Sequence, residues 1–325
     1  MTPAQLTEVD IALMNLCCAE GLSGSEKLDV SAALQMLDQY ARHAETETAR
    51  HLHRFREHPE KYENSEAYFR MLMLCVVLQQ DYGVHYNSER ATSKDIIEPN
   101  EIFFANSRDV FLHGLTSQPA MGTCSSMPVL YIAVGRRLGY PLTLVSTKCH
   151  LFVRWQDSRE RLNMDGTSHG LFTASDNYYK NWPFKVTDED IRAERFLEPM
   201  TPSEELACFL STRAHCLMSM GNYAAALDAD RAAIRLAPHI RGHHFSLAIA
   251  SREVAERTAV FIPPDPFLQI TGNEIDWAGR RAELLSRQRR NEDLILPVAT
   301  PAPPDPFRQT NPYLNQRLPP RPFPR

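Results

Sequence analysis

With 325 residues, of which 43% are hydrophobic and 23% charged, the chain has an ordinary globular composition and can fill one large domain or two smaller ones. Its 40 acidic and 35 basic residues give a net charge of -5, whereas nucleic-acid-binding proteins usually carry a basic face, so we expect no nucleic-acid partner. The early charged residues, Glu8 and Asp10, are acidic, whereas the start of a secretory signal is basic. No stretch has the roughly 20 consecutive apolar residues of a membrane helix. These two observations predict a cytoplasmic protein without membrane segments. The seven cysteines, an odd number in mostly apolar contexts, favour free thiols over a disulfide framework.

The first 85 residues are predicted to be helical. Ser31 can cap a helix that extends to about His43. Its apolar residues recur at helical spacing, at Leu34, Leu37 and Tyr40. The charged stretch 45–57 predicts an exposed helix face; a phosphate-binding basic stripe is the alternative, which the interleaved acids disfavour. Residues 65–83 predict a strongly apolar helix at the centre of the core.

Between residues 125 and 164 the pattern changes from helix to sheet. Residues 125–138 predict a helix, which Gly139 can end in a left-handed conformation and which Pro141 cannot continue. Three runs rich in branched, aromatic or apolar residues then predict β-strands, LTLVST, HLFVRW and LNM. A helix followed by an antiparallel meander is typical of an α+β domain.

Three residues in this region could form a cysteine-based catalytic site. Cys124 directly precedes the predicted helix, where the helix dipole favours a thiolate, and Pro128 suits a first helical turn. His150 begins the second strand and could place an imidazolium beside the sulfur. Asp165 ends the third strand; if the two strands pair, its carboxylate can orient the imidazole as the third member of a triad.

The order of these motifs resembles the transglutaminase-like superfamily, a branch of the papain-like cysteine enzymes. The resemblance covers roughly residues 65–190 and rests on the GTC at a helix start, the RRLGYP that ends the helix, the His-led strand and the later Asp. It implies Cys124 as nucleophile, His150 as general base and acid, and Asp165 as the group that orients His150. The chain departs from many members in having two serines, not an aromatic residue, directly after the cysteine.

The resemblance implies an enzyme in which the Cys124 thiolate attacks an amide or ester carbonyl of a protein or peptide and forms an acyl-enzyme. Water or an amine would then resolve it, giving hydrolysis or transamidation, with no cofactor. The alternative is an inactive scaffold of the same fold that binds protein partners through residues 203–256 or the C-terminal tail, and in which Cys124 is an inert core thiol.

Other candidate residues have competing interpretations. Gln118, six residues before Cys124, could donate to an oxyanion, as a Gln at similar spacing does in papain-like enzymes, although a surface-loop residue is the favoured interpretation. Cys149 is expected to point into the core, opposite His150. An aromatic run could line a groove or cap a core: Tyr178, Tyr179 and Trp182.

No metal site is predicted. Cysteines, histidines and an aspartate that could bind zinc occur at Cys124, Cys149, His150, Asp165 and His169, and a histidine pair four residues apart occurs at His239 and His243, next to His244. None of them shows a ligand spacing typical of a zinc site.

The C-terminal part divides into helices and a proline-rich tail. Residues 203–250 are predicted to be helical, and GNYAAALDADRAAIRLAP matches the second half of one tetratricopeptide-type helix pair. Because a single unit is unstable alone, we expect it to pack against the preceding domain or the following helix near 241–256. Ten prolines between 297 and 324 predict an extended tail. The string PPDPF occurs twice, at 263–267 and 303–307. It could be a repeated docking sequence, but chance repetition is the favoured interpretation. The predicted regions are 1–64 helical, 65–200 transglutaminase-like, 201–260 tetratricopeptide-like and 261–325 proline-rich.

Overall fold

The computed structural model describes residues 2–90 and 103–259. The proline-rich tail and both PPDPF sequences therefore lie outside the described residues. In the described part, helices surround a small sheet, which confirms a mixed α+β architecture. No described helix is both long enough and apolar enough to cross a membrane.

The N-terminal region is helical, as predicted, but the bounds of its longest helix differ from the expectation. The helices are α1 (Pro3–Leu6), α2 (Ile11–Ala19), α3 (Val30–Glu57) and α4 (Glu66–Val76), the last continued by a π-helical turn, Val77–Asp81. The prediction of Ser31 as the cap of α3 is wrong, because Asp29 is the N-cap and accepts the Ala32 amide at 2.9 Å. The predicted end at His43 is also wrong: no proline or glycine interrupts the chain before Pro59, so the helix continues.

The continuation of α3 also changes the interpretation of its charged half. This half was predicted to be an exposed face, yet one stripe of it is buried: Ala44, Glu47, Thr48 and His51. The apolar helix α4 is central to the core, as predicted, with Phe69, Met71 and Leu74 at most 1% exposed.

The centre of the fold is one buried helix against a three-stranded sheet. A short helix α5 (Ser107–Val110) and a pair of two-residue parallel strands, β1 (His85–Tyr86) and β2 (Met121–Gly122), precede the central helix α6 (Met127–Arg137). Gly139 has φ of 72° and ends this helix, as its position predicted. Strands β3 (Leu142–Thr147), β4 (His150–Gln156) and β5 (Arg161–Met164) follow in the antiparallel order β3-β4-β5, so the predicted meander is confirmed.

Five further helices complete the described chain, two short and three long. They are α7 (Asp176–Asn181), α8 (Asp188–Glu194), α9 (Pro202–Ser219), α10 (Tyr223–Leu236) and α11 (Arg241–Ala259). Small buried residues, Ala226, Ala229 and Ala233, allow α10 to pack closely against its neighbouring helices. The tetratricopeptide-type assignment stays a prediction.

The largest of the hydrophobic clusters in the described residues crosses the predicted boundaries. It includes Leu37 of α3, Val129 of α6 and Leu217 of α9. Boundaries at residues 64/65 and 200/201 each fall just before a helix, but the core is continuous across both. Helices α9 to α11 therefore pack on the remainder of the described chain.

Candidate active site

Cys124 lies in the turn that starts the central helix. The amide of Met127 donates to the carbonyl of Thr123 at 2.9 Å, which is a helical i→i-4 bond, so the first turn of α6 already encloses Cys124. Pro128 fits this turn because amides there have no partner within the helix. Cys124 is 7% exposed and lies at the positive end of the helix dipole, which favours a negative charge.

Side chains on both sides of Cys124 fix this turn. A Cβ atom at Gly122 would lie 2.5 Å from the Ser126 hydroxyl, so only glycine fits at this position, two residues before Cys124. The hydroxyls of Thr123 and Ser126 donate to the carbonyl of Asp109 at 3.0 and 2.8 Å. The turn that contains Cys124 is therefore held against the short helix α5 by the side chains on either side of the cysteine.

His150 and Asp165 form a buried pair on neighbouring strands. His150 begins β4 and Asp165 directly follows β5, and their atoms Nε2 and Oδ2 are 3.0 Å apart. The other carboxylate oxygen of Asp165 accepts the amide of Thr167 at 2.9 Å and its hydroxyl at 2.5 Å. Because all of these partners are fixed by the sheet or its exit loop, the imidazole has one orientation.

The loop after Asp165 touches the start of the central helix. A Cβ atom at Gly166 would lie 3.2 Å from the Cα and N atoms of Pro128. Glycine therefore lets the end of β5 approach the first turn of α6, where Cys124 lies. This contact connects the carboxylate end of the site to the cysteine end.

The Asp165 and Cys124 side chains both affect the pKa of His150. Burial alone would lower the pKa of His150, but the charge and hydrogen bond of Asp165, assisted by Cys124, raise it to about 10. Burial would raise the pKa of Asp165, and the His150 charge and hydrogen bonds from His150 and Thr167 outweigh it and lower that pKa. At neutral pH His150 is therefore an imidazolium beside the Cys124 thiol, an arrangement that favours the thiolate. Cys124 contributes to the raised pKa of His150 through a side-chain hydrogen bond and its charge, and both contributions are smaller than those of Asp165.

The predicted aromatic run contributes to this site and also packs in a core. Trp182 lies edge-on to the His150 ring with centroids 4.8 Å apart, and Tyr178 stacks on Trp182 at 5.4 Å. Tyr179 is fully buried and stacks on Phe152 at 3.8 Å. Trp182 thus covers the imidazole, while Tyr179 belongs to the core behind it.

Two predicted residues are not brought into the site. Gln118 is exposed and its amide donates to the carbonyl of Tyr82 at 3.4 Å; no hydrogen bond in the described chain joins it to Cys124. Its role as an oxyanion donor stays a prediction. The prediction of Cys149 as a core residue is wrong: it is exposed, with φ of 60°, in the two-residue turn between β3 and β4, where strand alternation no longer applies.

The candidate metal ligands are not assembled either. His169 is exposed, and His239 pairs with Glu204 at 2.9 Å. Within residues 2–90 and 103–259, no group of three or more His, Cys, Asp or Glu residues is arranged to hold an ion.

Sequence reasoning missed one residue that holds the site together. Gln79, in the π-helical turn after α4, donates to the Tyr131 hydroxyl at 2.8 Å and the Ser168 carbonyl at 2.9 Å, and accepts the Gly170 amide at 2.7 Å. It thereby ties the loop after Asp165 to the central helix. The only sequence signal was a polar residue inside an apolar helical run, and π-turns of this kind are frequent at functional sites.

A buried arginine, Arg154, forms hydrogen bonds that connect strands of the same sheet. The Arg154 side chain is fully buried and donates to Asn163 at 2.7 Å, to the Leu197 carbonyl at 2.7 Å and to Asp176 at 2.6 Å. These bonds connect β4, β5 and the start of α7. Strand alternation puts Arg154 on the same face of β4 as His150, and the partners of Arg154 come from outside this strand.

Comparisons with known proteins found no matching family model, no matching curated protein and no matching solved structure.

Proposed function

We propose that this protein is a cysteine-dependent acyl-transfer enzyme or hydrolase of the transglutaminase-like kind. The observation that carries the proposal is the buried His150–Asp165 pair, 3.0 Å apart, beside a cysteine in the first turn of a helix. Cysteine catalysis needs a thiolate, and a helix N-terminus and a neighbouring imidazolium are the two devices that favour it.

The chemistry follows from these positions. The Cys124 sulfur attacks the carbonyl carbon of an amide or ester, and the carbonyl oxygen becomes an oxyanion. The tetrahedral intermediate collapses to a thioester while the His150 imidazolium gives its proton to the leaving amine or alcohol. Water, or an acceptor amine, then attacks the thioester; His150 takes the proton and the thiolate leaves. Asp165 stabilises the imidazolium and holds its tautomer throughout.

A backbone amide is available for the oxyanion. Among the hydrogen bonds of the described residues, none uses the Cys124 amide as donor, although its neighbours Thr123, Ser126 and Met127 all donate. An amide at the nucleophile itself, at a helix start, is a position that oxyanion holes commonly use. This supports acyl transfer over other thiol chemistry.

Alkylation at mildly acidic pH tests the proposal. Iodoacetamide at pH 6 should label Cys124 at least tenfold faster than Cys149 and Cys17, although Cys124 is buried and the other two are exposed. Ordinary thiols are protonated at that pH and react slowly. His150→Ala should reduce this advantage severalfold. A p-nitrophenyl ester should then add an acyl group to Cys124, seen by mass spectrometry and absent in Cys124→Ala.

A scaffold without catalysis is the competing function. It would bind protein partners through residues 203–256 or the C-terminal tail. In that case Cys124 would label no faster than Cys149 at pH 6 and no acyl adduct would form.

A further inference from the structure

A cavity of about 240 Å³ lies between the sheet and helices α9 and α11. Its sheet wall consists of Ser146 of β3 and Leu151 of β4, which are opposite each other in the strand register. Strand alternation puts both side chains on the opposite face of the strand pair from His150. None of the three candidate catalytic residues lines the cavity, so a molecule bound here would occupy a site separate from the candidate active site.

Four polar side chains in the lining have no hydrogen-bond partner within the described chain: Ser146, Ser211, His215 and His243. His243 is only 7% exposed. The Nδ1 atom of His215 is buried, and its ring is held by stacking on Phe104 with centroids 4.8 Å apart. Buried polar groups in native proteins are nearly always paired with protein, water or ligand atoms. These side chains therefore offer hydrogen bonds that an occupant of the cavity can make.

The two imidazoles of the lining are uncharged at neutral pH. Burial lowers the pKa of His215 to about 4, and burial together with the charges of neighbouring histidines lowers the pKa of His243 to about 4. A neutral imidazole has one nitrogen that donates a hydrogen bond and one that accepts. A hydroxyl group also donates and accepts, so it matches such a ring without bringing a charge into the cavity.

The charged groups of the lining are already paired with one another or with residues nearby. Glu194 pairs with Arg241 at 3.4 Å, and Arg195 pairs with both Glu198 at 3.0 Å and Glu204 at 3.4 Å. Arg195 is the single arginine or lysine among the described residues that line the cavity. No cation is therefore left for an anionic ligand and no carboxylate for a cationic one, and burying an unpaired charge is costly.

The remaining surface and the size of the cavity favour a small ring. Leu151, Phe196, Met200 and Ile240 supply apolar surface. A cavity of about 150 Å³ can take up benzene, so about 240 Å³ accommodates a ring with a few additional atoms. This volume is below the roughly 300–1,000 Å³ of sites for drug-sized molecules. The occupant is therefore smaller than a peptide.

The wall between α8 and α9 has a fixed backbone without any ligand. Arg195 and Leu197 flank Phe196 and have φ of 53° and 65°, in the left-handed region. Such conformations persist only where surrounding contacts enforce them. Here the amide of Leu197 donates to the Ser146 carbonyl at 2.9 Å, which holds this wall on the sheet. Because the wall is already ordered, a ligand need not supply the free energy of ordering it.

We propose that this cavity is a binding site for a small uncharged ring compound with a hydroxyl group, of the phenol class, separate from the candidate active site. The ring would lie against Leu151, Phe196 and Met200, and the hydroxyl would bond to the imidazole of His243. Because such a ligand would contact the sheet, the α8–α9 connection and helices α9 and α11 together, it would stabilise their packing.

Four fluorinated probes of similar size and different polarity test the ligand class. They are 4-fluorophenol, fluorobenzene, 4-fluorobenzoate and 4-fluorobenzylamine, each titrated into the full chain at neutral pH and followed by fluorine NMR of the probe. We expect 4-fluorophenol to bind with a Kd of about 1 mM or below. Fluorobenzene, which lacks the hydroxyl, should bind about fivefold more weakly, as for the loss of one hydrogen bond. The charged probes should bind about tenfold more weakly or not at all.

Substitutions in the lining locate the site. Ser211→Phe places a ring in the α9 wall, so 4-fluorophenol binding should be lost. Ala224→Phe is the matched control, because Ala224 is exposed on α10 and does not line the cavity; its Kd should be that of the unchanged protein.

A second pair of variants tests the hydrogen bond. His243→Phe keeps a ring of similar size but removes both nitrogens, so 4-fluorophenol should bind no more tightly than fluorobenzene. His244→Phe changes the neighbouring histidine, which is exposed on α11 and does not line the cavity, and it should keep the fivefold difference.

Three outcomes overturn the assignment. The first is equal binding of 4-fluorophenol and fluorobenzene by the unchanged protein, a comparison that does not depend on any variant folding. The second is tighter binding of either charged probe, and the third is unchanged binding by folded Ser211→Phe. None of these measurements uses the reactivity of Cys124, so the proposed function and the cavity assignment can fail independently.

Discussion

The Nε2 atom of His150 lies 3.0 Å from Oδ2 of Asp165, and both residues are at most 6% exposed. The pair joins two neighbouring strands, and Trp182 covers the imidazole from the side. Buried ion pairs of this kind are costly to break because the remaining partner keeps its charge without compensation. The pair therefore has consequences for stability that can be measured independently of any reaction.

Asp165→Asn should destabilise the protein more at pH 6 than at pH 10. The pKa of His150 is raised to about 10 in the folded protein, above its ordinary value of 6.5. Stability from this shift is fully present below about pH 6.5 and is lost as the pH rises through about 10. We expect a loss of about 3 kcal/mol in the free energy of unfolding at pH 6. Denaturant unfolding at pH 6, 8 and 10 measures it.

Asp176→Asn serves as a comparison, since its carboxylate also pairs with side chains but is more exposed and does not contact His150. An Asp165→Asn loss that is equal at pH 6 and pH 10 would contradict the raised pKa of His150.

Local patterns were sufficient to predict the elements that position the site. The strand of HLFVRW and the helix after GTC are encoded by residue type and spacing within about a dozen residues, and both were predicted within two residues of their observed bounds. Because a short turn joins β4 to β5, strand pairing then brought His150 and Asp165 together. Their proximity needed no information from distant parts of the chain.

Features that depend on tertiary contacts were not predictable in this way. Gln79 acts through Ser168 and Gly170, about 90 residues further along the chain. Cys149 was misplaced because strand alternation was extended one residue into a turn. A cavity of about 240 Å³ is formed by segments from the sheet and from α9 and α11, so no local pattern marks it.

Arg154→Met should be one of the most destabilising substitutions in the sheet. Its guanidinium is fully buried and donates to Asn163, Asp176 and the Leu197 carbonyl, and burial lowers its pKa to about 10. Methionine fills most of the volume but removes the donor to the Asn163 and Leu197 oxygens and leaves Asp176 with only Asn163 and Arg161, at a cost of about 3–5 kcal/mol. Arg161→Met is the matched control: Arg161 binds the same carboxylate at 2.6 Å but is half exposed, so its loss should be about 1 kcal/mol or less. Similar losses for both variants in urea unfolding would show that the buried network is not the source of the stability.

Asp230→Asn should stabilise the protein at pH 8 but not at pH 4. Asp230 is buried, Ser246 donates to one of its oxygens at 2.9 Å, and the other oxygen has no partner among the described residues. Burial raises its pKa to about 6, with the Ser246 bond acting in the opposite direction. The stability connected with the raised pKa is therefore present below about pH 4 and lost as the pH rises through about 6.

Asparagine removes this titration and keeps an acceptor for Ser246. We expect a gain of about 1 kcal/mol at pH 8, because relief of the buried charge exceeds the cost of an unpaired amide. Asp228→Asn, exposed on the same helix, should change the free energy of unfolding by less than about 0.5 kcal/mol at either pH. A gain at pH 4 as large as at pH 8 would exclude Asp230 as a buried charge.

Gln79→Ala should slow alkylation of Cys124 without unfolding the protein. The Gln79 amide makes three hydrogen bonds of 2.7–2.9 Å that tie Tyr131 of the central helix to Ser168 and Gly170 in the loop after Asp165. Alanine breaks this connection, so Asp165 and His150 lose their fixed position relative to Cys124. Small misplacements at a catalytic site cost large factors in rate, and we expect the iodoacetamide rate at pH 6 to fall about tenfold.

Gln80→Ala is the matched control, because Gln80 is exposed in the same π-helical turn. The pH profile distinguishes positioning from simple destabilisation: in Gln79→Ala the midpoint of Cys124 labelling should move toward that of Cys149, measured at a temperature where circular dichroism shows both variants folded. An unchanged profile for Gln79→Ala would show that the loop keeps its position without the glutamine.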